Sequence, residues 1–301
     1  MYNPGREKYA TYFKGSHLPL GIFRIERQLP FELHDHDFTE LVLICSGSGT
    51  HMTQNGEYEV GPGDVFVIPP GMQHGYRNPR DLGMLNILFY LDHLPISREY
   101  LSLLPGFHSL FSVEPRLRDQ FQFRSRLFLD PSQFRKANRL ACELEEEVNL
   151  ARPGHELLAV SSLMQLIGYL SRAYTGNNSH ASDEVRRIGD VAAYMEQHIH
   201  DTLRLDELAE VAHMSVRTLQ RTFRIAMGVS PMTYLIHLRM QHACELLRFT
   251  DLQVTEISSR VGLQDSNYFA RLFREQLGQS PRQYRMSTRR TSTRSGPSPS
   301  P

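Results

Sequence analysis

Residues 261–285, VGLQDSNYFARLFREQLGQSPRQYR, repeat a pattern that the chain has already spelled out fifty positions earlier. Aligned without a gap, 205–234 over 255–284, the two copies share Val211/Val261, Arg221/Arg271, Phe223/Phe273, Arg224/Arg274, Gly228/Gly278, Ser230/Ser280, Pro231/Pro281 and Tyr234/Tyr284. A match at fixed offset marks one supersecondary unit present twice. Each copy reads as a short apolar-periodic helix (LDELAEVA; TEISSRVG), a tight turn (HMS; GLQD) and a second helix (VRTLQRTFRIAM; SNYFARLFREQL). Ser215 and Asp265 supply the side-chain oxygen that a helix start needs, and Gly228 and Gly278 stand where the second helix must stop. Short helix, turn and second helix make a helix-turn-helix. A plain bundle with solvated arginines would not require the matched Gly-x-Ser-Pro-x-x-Tyr endings.

In this motif the second helix enters the major groove by its N-terminal part. The exposed positions there are Arg217, Thr218, Gln220 and Arg221 in the first copy and Ser266, Asn267, Ala270 and Arg271 in the second. Arginine offers a fork to guanine O6/N7, and Asn or Gln a fork to adenine N6/N7. Leu219, Phe223, Phe269 and Phe273 take the opposite face and read as core. Arg224, Arg274 and residues near Tyr234 and Tyr284 read as phosphate contacts, which position without specifying. Charge agrees. The chain is formally neutral, but residues 1–185 carry 17 Lys+Arg against 22 Asp+Glu, whereas 186–301 carry 16 against 11, all sixteen being arginine. A +5 segment alone is weak evidence, since solvated helical faces share it.

The first third follows a different period. From Gly21 to Asp92, short β-rich runs (ELVLICSGSG, HMTQNGEYEV, GPGDVFVIPPG, MLNILFYL) alternate with turn signals, as in an antiparallel sandwich or barrel. Asn55-Gly56 between two such runs is a strong hairpin signal. Residues 98–174 turn helical: Ser132 opens QFRKANRLACELEEEVNL, Arg152-Pro153-Gly154 breaks it, and ELLAVSSLMQLIGYLSRAY follows. TGNNSHASD (175–183) reads as a polar linker and 287–301 as a disordered Ser/Pro/Arg tail. At 40% apolar and 22% charged residues, with no apolar run near the ~20 residues a bilayer requires, membrane insertion is not expected. The start, MYNPGREKYATYF, lacks the apolar core of a secretory signal. Cys45, Cys142 and Cys244 read as reduced, buried thiols in a cytoplasmic protein.

Within the β region, His34-x-His36-x3-Glu40-x6-Gly47 precedes Gly63-x5-Pro69-x-Gly71-x2-His74-x3-Asn78. This resembles both halves of the cupin signature, except that Gln28 replaces the leading glycine. Two histidines at i, i+2 share one face of a strand, so His34, His36, Glu40 and His74 can converge on a first-row divalent metal. The same four side chains could equally hydrogen-bond a polar effector without metal. His51, Tyr76 and Asn86 are further candidates for the lining, while the lone helical His155, His198 and His242 read as surface or packing residues.

The 261–285 stretch resembles the signature of the AraC/XylS family of transcription regulators, over roughly residues 186–286, with Leu263 where the family often has Phe. The resemblance implies seven helices, a long one (about Pro231–Arg248) joining the two motifs, and bases read from Arg217, Arg221, Asp265, Asn267 and Arg271. HDFTEL, GDVFVIPPG, NILFYL and LLPGF are most similar to the rhamnose-catabolism regulators of that family. The fold expected is therefore a multi-domain β + α chain: a cupin-like effector-binding antiparallel β-barrel (1–97), a helical linker and dimerisation region (98–183) and an all-α domain with two helix-turn-helix motifs (184–286). Its implied partners are double-stranded promoter or operator DNA, a small-molecule effector such as L-rhamnose or a related sugar, RNA polymerase and a second copy of itself. A non-enzymatic activator of a catabolic operon is expected, with no cofactor required and a divalent metal possible only at the cupin site. The rival readings are a metal-dependent cupin enzyme with a helical accessory region, and a nucleoid-type binder that takes no effector.

Overall fold

The computed structural model describes residues 6–7, 18–96, 98–118, 123, 125–176 and 180–292. The chain divides into two compact units, Met1–Ala193 with Ile225–Met227, and Tyr194–Arg224 with Gly228–Pro301.

The first unit is built on one eight-stranded sheet: β1 (Arg6–Glu7), β2 (Leu20–Ile25), β3 (Phe31–His36), β4 (Thr39–Thr53), β5 (Glu57–Val60), β6 (Asp64–Ile68), β7 (His74–Phe89) and β8 (Leu127–Phe128). All pairings are antiparallel except β1 with β3. The long strands β4 and β7 run beside each other and serve two halves. Their outer parts pair with β2 and β6, and their inner parts with β3 and β5. Register shifts between Ile44 and Thr50 separate the halves, and bulges of this kind bend a strand and sharpen its twist. Gly47 (φ +66) sits at the bend, where a Cβ would lie 2.1 Å from the Asp81 carbonyl oxygen. The sheet thus wraps a common interior of Val42, Ile44, Tyr58, Val60, Phe66, Ile68, Tyr76, Leu82, Met84 and Phe123. The Asn55-Gly56 hairpin forms as expected, with Thr53 N donating to Gly56 O at 2.8 Å.

After a 3-10 turn (Leu91–His93) come short helices α1 (Arg98–Ser102) and α2 (Pro105–His108), a π-helical turn (Ser109–Val113) and α3 (Glu114–Leu117). Helices α4 (Pro131–Leu150) and α5 (His155–Gly176) then fold back on each other at Ala151, a residue with φ 45. The start of α4 corrects the expectation at Ser132. Asp130, in extended backbone, is the cap: its carboxylate accepts from Ser132 N (2.7 Å) and Gln133 N (2.9 Å) while Gln133 reaches back to Asp130 N, and Pro131 fits the first helical position. Two further expectations fail. Cys142 is exposed on α4, Cys45 and Cys244 being half-buried. The polar linker is largely helical, because α5 runs to Gly176 and α6 starts at His180; only 177–179 fall outside the described residues.

Seven helices are found among the described residues from His180 onward: α6 (His180–Gln197), α7 (Leu205–Val211), α8 (Val216–Met227), α9 (Pro231–Phe249), α10 (Val254–Arg260), α11 (Ser266–Leu277) and α12 (Pro281–Ser292). Helix α12 carries the chain past 286 to Ser292, so the first part of the expected tail is ordered as helix, while 293–301 lie outside the described residues. The duplicated identities recur as duplicated packing. Phe223 meets Tyr234 edge-on at 5.4 Å, and Phe273 meets Tyr284 edge-on at 5.6 Å. The repeated tyrosines therefore hold each motif to the helix that follows it.

Candidate nucleic-acid interface and effector site

Each motif closes as the residues dictate. In the first, His213 (φ 50) makes the turn, Ser215 Oγ accepts from Thr218 N at 3.2 Å, and Gly228 (φ 78) ends α8. In the second, Gly262 (φ 73) makes the turn, Asp265 Oδ1 accepts from Asn267 N (2.8 Å) and Tyr268 N (3.1 Å), and Gly278 (φ 71) ends α11. Leu219, Phe223, Phe269 and Phe273 are fully buried. On the other face Arg217, Gln220, Arg221 and Arg224, and likewise Asp265, Asn267, Arg271 and Arg274, are exposed; Thr218, Ser266 and Ala270 are half-buried. Two side chains already have local work. Asp265 spends an oxygen on the cap, and the Thr218 hydroxyl lies 2.8 Å from Ser215 Oγ. Tyr268 belongs to this face as well, although no charge or amide fork marks it in the sequence. It is exposed, and the Arg271 guanidinium lies 5.4 Å over its ring. The offset of fifty places it opposite Thr218, which was the signal available.

The unit of the sheet brings three of its four candidate ligands together. Ligand atoms of His36, Glu40 and His74, all buried, lie within 4.8 Å of one another. His36 Nε2 is 3.1 Å and His74 Nε2 3.5 Å from Glu40 Oε2. Each ring's Nδ1 faces a main-chain carbonyl, Phe38 O at 2.8 Å and Met72 O at 3.3 Å, the arrangement that leaves Nε2 aimed at a metal or ligand. His34 falls outside the group. It is half-buried with Nδ1 3.1 Å from Glu32 O, its ring edging Phe31 and His74. Burial alone would raise the Glu40 carboxyl, but hydrogen bonds from His36 and His74 outweigh it and hold the group well below the usual carboxylate range.

Deeper in lies a second polar set. His51 is fully buried, 6.1 Å from the His74 ring, 5.4 Å from Tyr76, 4.9 Å from Phe66 and 5.7 Å from Phe123. Neither of its ring nitrogens has a hydrogen-bond partner among the described residues, and the same holds for the Tyr76 hydroxyl, Asn86 Oδ1 and Arg118 Nη1. Burial, followed by the Arg118 charge, pushes the His51 imidazole far below its ordinary range, and burial pushes the Tyr76 phenol up, so both rings are neutral. Arg118 is fully buried, paired with Glu114 at 2.9 Å, bonded to Val67 O at 2.6 Å, and stacked 4.6 Å over Phe123. Arg118 and Phe123 lie between Arg98 and Pro131, where the sequence signals only a change to helical period and no motif marks either residue.

His155, His198 and His242 stand apart from both sites. His155 caps against Arg152 O, and His198 and His242 face Asp201 and Glu245.

A pair of helix-turn-helix units in tandem, preceded by a sheet domain with polar side chains buried inside it, defines a ligand-regulated DNA-binding transcription regulator. Residues 19–184 match the AraC-like ligand binding domain and 208–287 a helix-turn-helix domain. The chain belongs to the AraC family. It is 30% identical over 280 residues to the HTH-type transcriptional activator RhaS of Enterobacter sp. (strain 638), covering 92% of this chain and 95% of that one. It is 29% identical over 261 residues to the RhaR activator of the same strain, covering 86% and 89%. Among solved structures, the DNA-binding domain of AdpA in complex with a target DNA is 34% identical, covering 36% of this chain and 98% of that one at a TM-score of 0.34. Among the described residues no helix is long and apolar enough to cross a membrane.

Proposed function

We propose that this regulator activates a catabolic operon in response to a neutral sugar, L-rhamnose or a close relative, bound inside the sheet domain. The observation that carries the ligand class is the set of buried polar atoms left without partners on His51, Tyr76, Asn86 and Arg118. Unmade hydrogen bonds at such depth are costly, and a ligand that satisfies them gains accordingly. The aromatic faces of Phe66 and Phe123 beside these atoms suit the apolar face of a sugar ring. Beside the unpartnered atoms charge favours a neutral molecule, since Glu114 answers Arg118. His36, Glu40 and His74 would contribute hydrogen bonds to the ligand or hold a divalent metal that orients it; three donors with positions to spare fit either use.

On DNA, Arg217, Gln220, Arg221, Asn267 and Arg271 read bases, with Thr218, Ser266 and Asp265 at the helix starts, and Arg224 and Arg274 meet phosphates. The protein acts in the cytoplasm as a homodimer that recruits RNA polymerase, and it needs no turnover, because regulation requires only differential binding between two states. Leu150, Leu157 and Leu158, exposed at the α4–α5 turn, favour self-association through that helical pair.

Calorimetric titration of the full-length protein with L-rhamnose, related sugars and their acid derivatives tests the ligand. Saturable binding of one neutral sugar, lost in His51→Phe and Tyr76→Phe with fold intact, is expected. Binding that survives both substitutions, or preference for the acids, would overturn the assignment. Metal content of wild type and Glu40→Gln decides between the two uses of the His36/Glu40/His74 group.

A further inference from the structure

Helix α9 links the two DNA-reading motifs, and one of its side chains is unusual for a linker. Arg239 is 8% exposed, although arginine is seldom buried unless its charge is answered. Here carbonyl oxygens take its hydrogen bonds. Nε donates to Ile199 O at 2.9 Å and Nη2 to Asp201 O at 2.6 Å, both in the segment between α6 and α7 that leads into the first motif. On its other side stands Gly262, the turn residue of the second motif. A Cβ there would lie 2.7 Å from Arg239 Nη2 and 2.7 Å from Ile199 O. Three parts of the domain meet at this point: the approach to the first motif, the linking helix and the turn of the second.

Simple core filling would be served by leucine, as at the neighbouring buried Leu235, Leu238 and Leu247. A guanidinium adds a rigid fork of donors that can bind two carbonyls at once in one geometry, and desolvation makes a poorly placed fork costly. The glycine supplies the complementary half, since any side chain at 262 would push the second motif away. We infer that Arg239 is a positioning residue that fixes the separation of the two recognition helices and so sets which spacing of half-contacts on DNA the protein accepts. This rests on both motifs reading DNA together.

The test starts from a bipartite site selected from random DNA with full-length wild-type protein, then rebuilt with one, two and about five base pairs inserted between the halves, the last being roughly half a helical turn. Wild type is expected to lose at least about tenfold in affinity at the longest insertion, the loss that follows when one motif's base contacts are given up. Arg239→Met is expected to bind the original site less well yet differ less than about threefold across the series, because no one spacing is then favoured. Arg239→Lys, with one donor group in place of a fork, falls between them, and Gly262→Ala flattens the series in the same way. A purely structural arginine would weaken every spacing by the same factor, so an unchanged ratio in Arg239→Met and Arg239→Lys overturns the proposal. Should Arg239→Met fail to fold, the ratio for Arg239→Lys decides alone. A wild-type protein that selects no bipartite site, or tolerates every insertion, would instead remove the premise of paired reading.

Discussion

On α8 and α11 the buried side chains anchor the fold; the proposed function divides the exposed ones into those that position DNA and those that read it, and substitutions distinguish the two. Arg224→Ala and Arg274→Ala are expected to weaken binding to matched and mismatched sites alike, each lowering the slope of log K against log[salt] by about 1. Measured slopes that do not change, with losses confined to one base pair, would make these residues base readers. Asp265 tests whether one carboxylate can serve two ends. Asp265→Ala removes the cap and should cost about 1 kcal/mol in stability, whereas Asp265→Asn keeps an accepting oxygen and the cap. If the Asn variant melts like wild type and also keeps its sequence preference, the residue is a cap and not a reader. His108 offers a pH signature in the other unit. Burial pushes its imidazole down to about 4, with Nε2 donating to Ser102 O at 2.7 Å. It stays neutral when folded, but the unfolded chain takes up a proton below about 6.5, so stability falls as pH drops from 6.5 to about 4, by on the order of 3 kcal/mol in all. Denaturation across that window should show a flatter profile for His108→Gln, and an identical profile would refute the assignment.

Among the elements, those written in local chemistry were legible beforehand. The fifty-residue offset, Ser215 and Asp265 as caps, and Gly228 and Gly278 as stops locate both motifs because each is a short-range backbone requirement. Glycine predictions follow. Gly278 has nothing within 4 Å of a built Cβ, whereas Gly262 faces Arg239 and Ile199. Gly278→Ala should therefore cost about 1–2 kcal/mol from the left-handed backbone alone, and Gly262→Ala more, as read by chemical denaturation; equal losses would contradict the packing described around Arg239. What the sequence leaves open depends on long-range geometry. His51 is among its candidates for the lining, and bulges between Ile44 and Thr50 turn it inward by resetting the alternation of β4, which a strict period of two leaves undecided. Arg118 and Phe123 reach the interior from a stretch in which no motif marks them, and His34 drops out of the ligand group although it shares a strand face with His36. Ser132 gives way to Asp130 because Pro131 sets the helix start two residues earlier than apolar spacing alone suggests.

For the molecule as a whole, family membership accounts for the order of modules, and the polar groups buried in the sheet domain are where the proposed ligand would bind. The central claim is that α8 and α11 each read their own half of one DNA site. Selection from a random DNA pool with full-length wild type, Arg217→Ala and Asn267→Ala tests it most directly. A bipartite wild-type motif with halves about one helical turn apart is expected, Arg217→Ala relaxing positions in one half only and Asn267→Ala in the other only. A single-part motif, or two variants that relax the same positions, would contradict it.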